Sequence, residues 1–226
     1  LKTPKRVGNV SRQTPYQAAV EYINMGLAVF PVAYKGKTPL TQNGCKDATT
    51  DAAIVKGWWQ KWPNANIGIA TGSKSGGLFV IDLDVDENKG INGYQTLRDW
   101  ERSNGDLPET MQSITGRGGY HLFYRGNKLI GNRAKVLEGI DVRGEGGYII
   151  APPSIHPNGM SYEWEQSPDE YAIAQANDLV YQLIEYRRES NTEFVVPEKV
   201  PAGERNQTMF RYACSLQQRD SATRQY

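Results

Sequence analysis

The stretch Leu78-Phe-Val-Ile-Asp-Leu-Asp-Val-Asp86 joins an apolar β-run to three carboxylates at alternating positions. Side chains alternate faces along a strand, so Asp82, Asp84 and Asp86 are expected on one face and Ile81, Leu83 and Val85 on the other. Carboxylates about 7 Å apart on one strand face can lean together on cations, and all-oxygen ligation suits Mg²⁺ or Mn²⁺. The plainer alternative is a strand end that runs out into an acidic turn. Acidic residues are depleted in strand interiors, so Asp82 and Asp84 behind a fully apolar run point to a metal site.

Two further segments carry residues that such a site would use. Gly119-Tyr-His121 opens a strand on which His121, Phe123 and Arg125 share a face. Gly139-Ile-Asp141-Val sets an aspartate among apolar neighbours. A lone histidine is more often structural than catalytic, and a lone aspartate in a β-run is often a turn anchor; the glycine turn before His121 and Arg125 on its face favour a functional reading. His156 lies in a Pro-Asn-Gly turn with no partner evident. Between Arg117 and Arg143 the basic residues Arg117, Arg125, Lys128, Arg133, Lys135 and Arg143 face only Glu138 and Asp141. Such a run is either a solvated face or a phosphate-binding one. Lys35-Gly-Lys-Thr-Pro39 reads as a turn whose lysines are either solvated, the favoured reading, or touch phosphate.

Several other chemistries fail on spacing. No G-x-x-x-x-G-K-[ST] register fits the Gly/Ser turn Thr71–Gly77, and neither Gly116-Arg-Gly-Gly nor Gly144-Glu-Gly-Gly completes G-x-G-x-x-G. The two histidines are too far apart for H-E-x-x-H, and no nucleophile elbow is present. What remains is a carboxylate pair, a third aspartate and nearby His, Arg and Lys. That set matches two-metal phosphoryl transfer, in which two cations about 4 Å apart steady the attacking and leaving oxygens and basic side chains hold a triphosphate.

The elements around these residues alternate. A helix is expected from Pro15, capped by Thr14 and ended by Gly26, with Tyr16, Ala19, Val20, Ile23 and Leu27 as its stripe. Ala28–Val32 reads as a strand. Asp51–Trp62 reads as a helix with Ile54, Val55, Trp58, Trp59 and Trp62 on its packed side. Ile67–Ala70 is a short strand, Glu87–Gly93 a polar loop, and Tyr94, Leu97 and Trp100 mark a helix closed by Asn104-Gly105. Strands are expected at Thr110–Thr115, Tyr120–Arg125, Gly139–Arg143, Tyr148–Ala151 and Met160–Trp164, with a loop between Arg125 and Gly139. A helix is expected over Asp169–Arg188, with Ala176, Leu179, Val180, Leu183 and Ile184 as its stripe. Interleaved helices and hairpin-like returns at Gly118 and Gly146 predict a mixed α/β sheet.

The order and spacing resemble the bifunctional DNA primase–polymerase (prim-pol) domain of the archaeo-eukaryotic primase superfamily, as found in phage, plasmid and mobile-element replication proteins. Val80-Ile-Asp82-Leu-Asp84 resembles its first motif, Gly119-Tyr-His121 its second and Gly139-Ile-Asp141 its third. The flanks Gly36-Lys-Thr-Pro39, Trp58-Trp59, Asn66-Ile-Gly-Ile and Asp141-Val-Arg-Gly-Glu-Gly-Gly-Tyr-Ile-Ile-Ala-Pro-Pro-Ser154 also resemble such domains. The second motif often has Ser where this chain has Gly119, whose N–H is then the candidate substitute for the hydroxyl. The resemblance implies an RRM-like catalytic sheet with an N-terminal α/β module, the archaeo-eukaryotic primase fold. It implies templated strand synthesis from dNTPs or NTPs on single-stranded DNA with a primer. Asp82 and Asp84 would hold two Mg²⁺ or Mn²⁺ ions, Asp141 would complete the site at the primer 3′-hydroxyl, and His121 would contact the incoming triphosphate. Arg117, Arg125 and Arg143 are further nucleotide-binding candidates from charge and position. The alternatives are a non-catalytic nucleic-acid-binding module of the same fold, and a two-metal nuclease or nucleotidyltransferase that copies no template.

The expected organisation is an arm over 1–13, the catalytic domain over 14–190, a Pro-containing linker over 191–202 and a helical segment over 203–226. Pro201-Ala-Gly-Glu-Arg-Asn-Gln-Thr-Met-Phe-Arg-Tyr-Ala213 resembles the start of the helical primase C-terminal module, and a helicase domain is expected downstream. Leu1 in place of Met suggests a piece of a longer protein. A net charge of +1 gives no global pull toward nucleic acid, so any such contact must come from local charge. No apolar run reaches membrane length, and Cys45 and Cys214 cannot build a disulfide scaffold. An intracellular, cytoplasmic protein is the expectation.

Overall fold

The computed structural model describes residues 13–186. The expected linker, the helical segment over 203–226 and all but the end of the N-terminal arm lie outside them.

Thr14 and Gln17 form a reciprocal capping box at the start of α1 (Pro15–Asn24), with Pro15 in the first turn. Its buried face is Ala18, Ala19, Tyr22 and Ile23, a stripe set slightly round from the expected one, because Tyr22 anchors its hydroxyl on the Pro152 carbonyl at 2.6 Å. β1 (Val29–Val32) follows. Asp51 caps α2 (Ala52–Lys61) by accepting from the Ala53 and Ile54 N–H groups. Val55 and Trp59 are buried, and Trp58 and Trp62 pack partly against the same core, so the tryptophans are packing residues. Ile54, expected on that side, is 47% exposed. β2 (Asn66–Ala70) leads to β3 (Leu78–Leu83), which is wholly buried.

The expected polar loop after Asp86 is instead a small hairpin of β4 (Val85–Asp86) and β5 (Ile91–Asn92), after which Asn92 caps α3 (Gly93–Asn104). β6 (Gln112–Ile114) and β7 (Tyr120–Arg125) are antiparallel. The expected loop after Arg125 contains a strand, β8 (Arg133–Leu137), with β9 (Ile140–Arg143) and β10 (Tyr148–Ala151) beyond it. β11 (Glu163–Gln166) lies slightly later than expected. Residues 169–177 are not helical: β12 (Ala174–Gln175) pairs with β7, and α4 is confined to Asp178–Glu185 behind an Asn177 cap. Val180, Leu183 and Ile184 of the expected stripe are buried.

The larger sheet runs β11-β6-β7-β3-β9-β8, with β12 beside β7; the smaller runs β1-β2-β10. β3 lies at its centre, antiparallel to both β7 and β9. Phe79, Ile81 and Leu83 face α3 and α4, joined by Leu97, Trp100, Val180 and Leu183. Leu78 and Val80 face the opposite core, shared with α1, α2, β1, β2 and β10. The smaller sheet is not built from the N-terminal segment alone, because β10 returns from the catalytic strands to pair with β2. No described helix is long and apolar enough to cross a membrane.

Three tyrosines tie the layers together. Tyr22, Tyr124 and Tyr162 are buried, and burial raises each phenol above its ordinary value, Tyr162 to about 12. On unfolding these groups ionise near 10. Their stabilising effect is complete below that value and is lost as pH rises through the gap. The melting temperature should therefore fall steeply above pH ~10. Tyrosinate absorbance should lag free tyrosine until the protein unfolds; ionisation of all tyrosines near their ordinary value in the folded state would contradict this burial.

Candidate active site

The register of three strands assembles the site. Asp82 stands directly opposite His121 on β7 and directly opposite Asp141 on β9. All three belong to the face that Val80 and Phe123 bury further along the strands, so the polar groups occupy the open end of a core layer. Asp82 is only 8% exposed. Its Oδ2 accepts from Arg143 Nε and Nη2 at 3.1 and 3.0 Å, and its Oδ1 lies 3.5 Å from His121 Nε2. Asp141 Oδ2 accepts from the same Arg143 Nη2 at 3.0 Å, and its Oδ1 accepts from the Lys135 N–H at 2.8 Å. Lys135 sits at φ +54 where the β8–β9 register shifts, so a bulge aims this N–H at the carboxylate.

Asp84 lies just past the end of β3. Its N–H donates to the Gly139 carbonyl and its own carbonyl accepts from the Gly93 N–H, each at 2.8 Å. These bonds fix its backbone between β9 and the start of α3. Its carboxyl is held above the usual carboxylate range, first by burial and then by the charges of Asp82 and Asp141. His121 is buried, and loss of solvation lowers its pKa against the raising effect of Asp82, so the ring is neutral near pH 7. Its Nδ1 is 3.4 Å from Ser113 Oγ.

A cavity of about 440 Å³ opens on this cluster, lined among others by Lys37, Asp82, His121, Arg143, Tyr148 and Tyr162. Its roof is the turn between β9 and β10, which crosses from one sheet to the other. Tyr148 reaches back to the Lys37 carbonyl at 3.0 Å. A larger cavity, about 610 Å³, lies on the α3 side of the sheet and is lined by Glu101, Asp106, Glu109, Glu165 and several tyrosines. Its lining is mostly acidic, with Arg98 paired to Glu101, whereas the smaller cavity is mixed in charge.

The remaining candidates separate. Asp86 pairs with Lys89 in the β4–β5 hairpin and leaves the Asp82/Asp84 face, because β3 ends at Leu83. Arg125 is at the far end of β7, where its guanidinium donates to the Ser75, Gly76 and Met25 carbonyls; it clamps the fold and does not reach the cluster. Lys128 pairs with Glu185, and Arg133 donates to the Ile184 carbonyl, so both bind α4. Arg117 is exposed on the β6–β7 turn, close enough for its charge to act on His156 and Tyr162. Of the basic run, Arg143 lines the cavity, and Lys135 reaches the cluster through its backbone N–H. Lys37, expected to be solvated, stands at the cavity, and its charge acts on Asp84 and His121. His156 has partners after all: it is buried beside Tyr162, which also stacks with His121 at 6.2 Å. The Gly36-Lys-Thr-Pro turn was the sequence signal for Lys37, and Tyr148 lies in the flank Asp141–Ser154 that resembles prim-pol domains; none marked Tyr162.

Gly119 is accounted for by packing. A Cβ there would lie 2.1 Å from the Leu83 carbonyl oxygen, so serine has no room. Its N–H donates to Thr115 Oγ1 at 3.1 Å, so it is spent within the turn and does not substitute for a serine hydroxyl.

The description "Bifunctional DNA primase/polymerase, N-terminal" belongs to the family model that matches residues 19–179. The chain belongs to this Prim-Pol family. The match spans the first strand of the smaller sheet through the start of α4, and so takes in every residue of the cluster. No curated protein matches the chain significantly. Membership makes the domain a DNA primase/polymerase type of nucleotidyltransferase fold, with DNA and nucleotides as its substrates.

Asp82, Asp84 and Asp141 are expected from the sequence to hold divalent cations. Among the described residues no three His, Cys, Asp or Glu side chains converge as ligands on one point, because the Arg143 guanidinium stands between Asp82 and Asp141. The expected convergence of three carboxylates is thus incomplete in this arrangement. The donors themselves fit a hard cation: all are carboxylate oxygens, and the Asp84 pKa is raised by desolvation and then by the Asp82 and Asp141 charges, both of which a cation would offset.

Proposed function

We propose that the chain is a template-dependent DNA primase–polymerase that joins dNTPs or NTPs to a primer 3′-hydroxyl, with two Mg²⁺ or Mn²⁺ ions held by Asp82, Asp84 and Asp141. The observation that carries this reading is a cavity onto which Lys37, Asp82, His121 and Arg143 converge, with Asp141 joined to Asp82 through Arg143. Binding to nucleic acid alone would not call for a buried Asp82 with two further carboxylates crowded beside it. Replication of a phage, plasmid or other mobile element, and a helicase further along the full-length protein, belong to the same proposal.

In this mechanism the 3′-oxygen attacks the α-phosphorus, the bond to the β-phosphate oxygen breaks, and pyrophosphate leaves. When bound, the cations would acidify the 3′-hydroxyl and neutralise charge on the phosphates. The residues of the chain do the positioning. Lys37 and Arg143 supply fixed positive charge to the triphosphate. Neutral His121 can hydrogen-bond a phosphate oxygen without placing another charge beside Asp82. Tyr148 and Tyr162 wall the cavity and limit water.

Incubation with Mn²⁺ or Mg²⁺, an annealed primer–template and labelled dNTPs tests the reading. Templated extension is expected. Degradation of the primer would indicate a nuclease, and no reaction would indicate a binding module; either would overturn the proposal. Lys37→Ala and His121→Ala should each lower kcat/KM for dNTP about tenfold, the size of a lost charge-assisted hydrogen bond. Steady-state kinetics with saturating template checks this. An unchanged kcat/KM with weakened template binding would move both residues from the nucleotide to the DNA.

A further inference from the structure

Arg143 donates to both of the facing carboxylates proposed to hold a cation. Its Nη2 lies 3.0 Å from Asp82 Oδ2 and 3.0 Å from Asp141 Oδ2, and its Nε adds a second bond to Asp82 at 3.1 Å. One guanidinium therefore takes the two oxygens that face each other across β3 and β9. Of the outer oxygens, Asp141 Oδ1 accepts from the Lys135 N–H, and Asp82 Oδ1 lies 3.5 Å from His121 Nε2. Arg143 is not sealed in place: its side chain is 38% exposed, and it lines the same cavity as Lys37 and His121. A planar fork suits phosphate oxygens as well as carboxylates.

We propose that Arg143 is an internal counter-cation: it occupies the Asp82–Asp141 pair in the metal-free protein and transfers to the phosphates of a bound nucleoside triphosphate when the carboxylates take up a divalent cation. The inference rests on the two-metal reading of the same site. The guanidinium and a divalent cation are like charges that compete for the same two oxygens. Loading a cation without nucleotide strips Arg143 of three charge-assisted hydrogen bonds and offers it no anion in return. With a triphosphate in the cavity, the displaced guanidinium has new acceptors. Cation and nucleotide therefore favour each other, and by linkage the coupling is equal in both directions. The arrangement guards an idle site against metal and reserves loading for the substrate-bound state.

The test is Mn²⁺ binding to the full 226-residue chain, read by the electron paramagnetic resonance of free Mn²⁺ at one fixed pH. The proteins are wild type, Arg143→Gln and Arg143→Lys, each checked for folding by circular dichroism. Without nucleotide, Arg143→Gln should bind Mn²⁺ about tenfold more tightly than wild type, the scale of removing one like charge from a half-buried site. Arg143→Lys keeps the charge but loses the fork, so it should fall between them; it carries the comparison if the glutamine variant does not fold. The gain in dATP affinity on adding Mn²⁺ should be smaller in both variants than in wild type. A residue that merely braced the sheet would weaken Mn²⁺ binding when replaced, so unchanged or weaker binding in the folded variants overturns the proposal while leaving the metal site standing. Absence of Mn²⁺ binding to wild type even with dATP, beyond what dATP alone chelates, would instead remove the two-metal reading and this inference with it.

Discussion

Asp84→Asn is expected to abolish nucleotide incorporation and, in the same protein, to raise the melting temperature without metal. The activity loss should be about 10³-fold or more, since a carboxylate that holds a catalytic cation supplies several kcal/mol to the transition state. The gain follows from the raised Asp84 pKa, which partial burial and the Asp82 and Asp141 charges cause; Asp84 is exposed, so solvent screens these charges and the gain is small. A carboxyl whose pKa is higher folded than unfolded binds its proton more tightly in the native state. Stability therefore falls as pH rises from the ordinary carboxylate value through the raised one, and the cost is complete at neutral pH. Asparagine removes that cost. Asp82→Asn should be equally inactive but less stable than wild type, because it weakens the pairing with Arg143 and His121. Thermal melts at pH 7 and again below the carboxylate range, together with a primer-extension assay, separate the two variants. Near-wild-type extension by Asp84→Asn would remove Asp84 from the site.

Gly119→Ala is expected to damage both stability and activity from a position that touches no substrate. The added Cβ would sit 2.1 Å from the Leu83 carbonyl oxygen, and backbone cannot rotate away as a side chain can. Forcing an extra carbon into such a contact costs about 2 kcal/mol, or about 5 °C for a domain of this size. Leu83 lies between Asp82 and Asp84, so any shift that relieves the clash moves both carboxylates. Extension should fall at least tenfold, since small displacements at a reacting centre cost that much. Gly57→Ala is the contrasting control. It lies within α2, where a Cβ would meet nothing within 4 Å, and should raise the melting temperature slightly. A Gly119→Ala protein as stable and active as wild type would mean that the β3–β7 end is looser than its packing indicates.

What could be read from the sequence was what local chemistry dictates. Period-two alternation correctly set Asp82 on the face opposite Ile81 and Leu83, and His121 with Phe123 on β7; a cap residue located the first helix, and apolar spacing the next two. Asp86 was misassigned because alternation was carried past Leu83, where the chain leaves the sheet for a hairpin. Arg125 shares a strand face with His121, but face says nothing of distance along the strand, and it lies opposite Leu78 while His121 lies opposite Asp82. β8 was missed because Arg133-Ala-Lys-Val-Leu137 has weak β-propensity and a register shift; pairing with β9 makes it a strand. The role of Lys37 depends on β10 crossing to the smaller sheet and closing the cavity, a long-range pairing that no local pattern encodes. The same holds for Arg143, whose hold on two aspartates from different strands exists only once β3 and β9 are in register.

The most direct test of templated synthesis is single-nucleotide incorporation on four annealed primer–templates that differ only in the first unpaired template base, each offered the four dNTPs one at a time with Mn²⁺ or Mg²⁺. The predicted result is extension by the complementary dNTP in each case, with no product when metal is withheld or when Asp84 is replaced by Asn. Incorporation that ignores the template base, shortening of the primer, or full activity in the Asp84→Asn protein would contradict a templated polymerase centred on Asp82, Asp84 and Asp141.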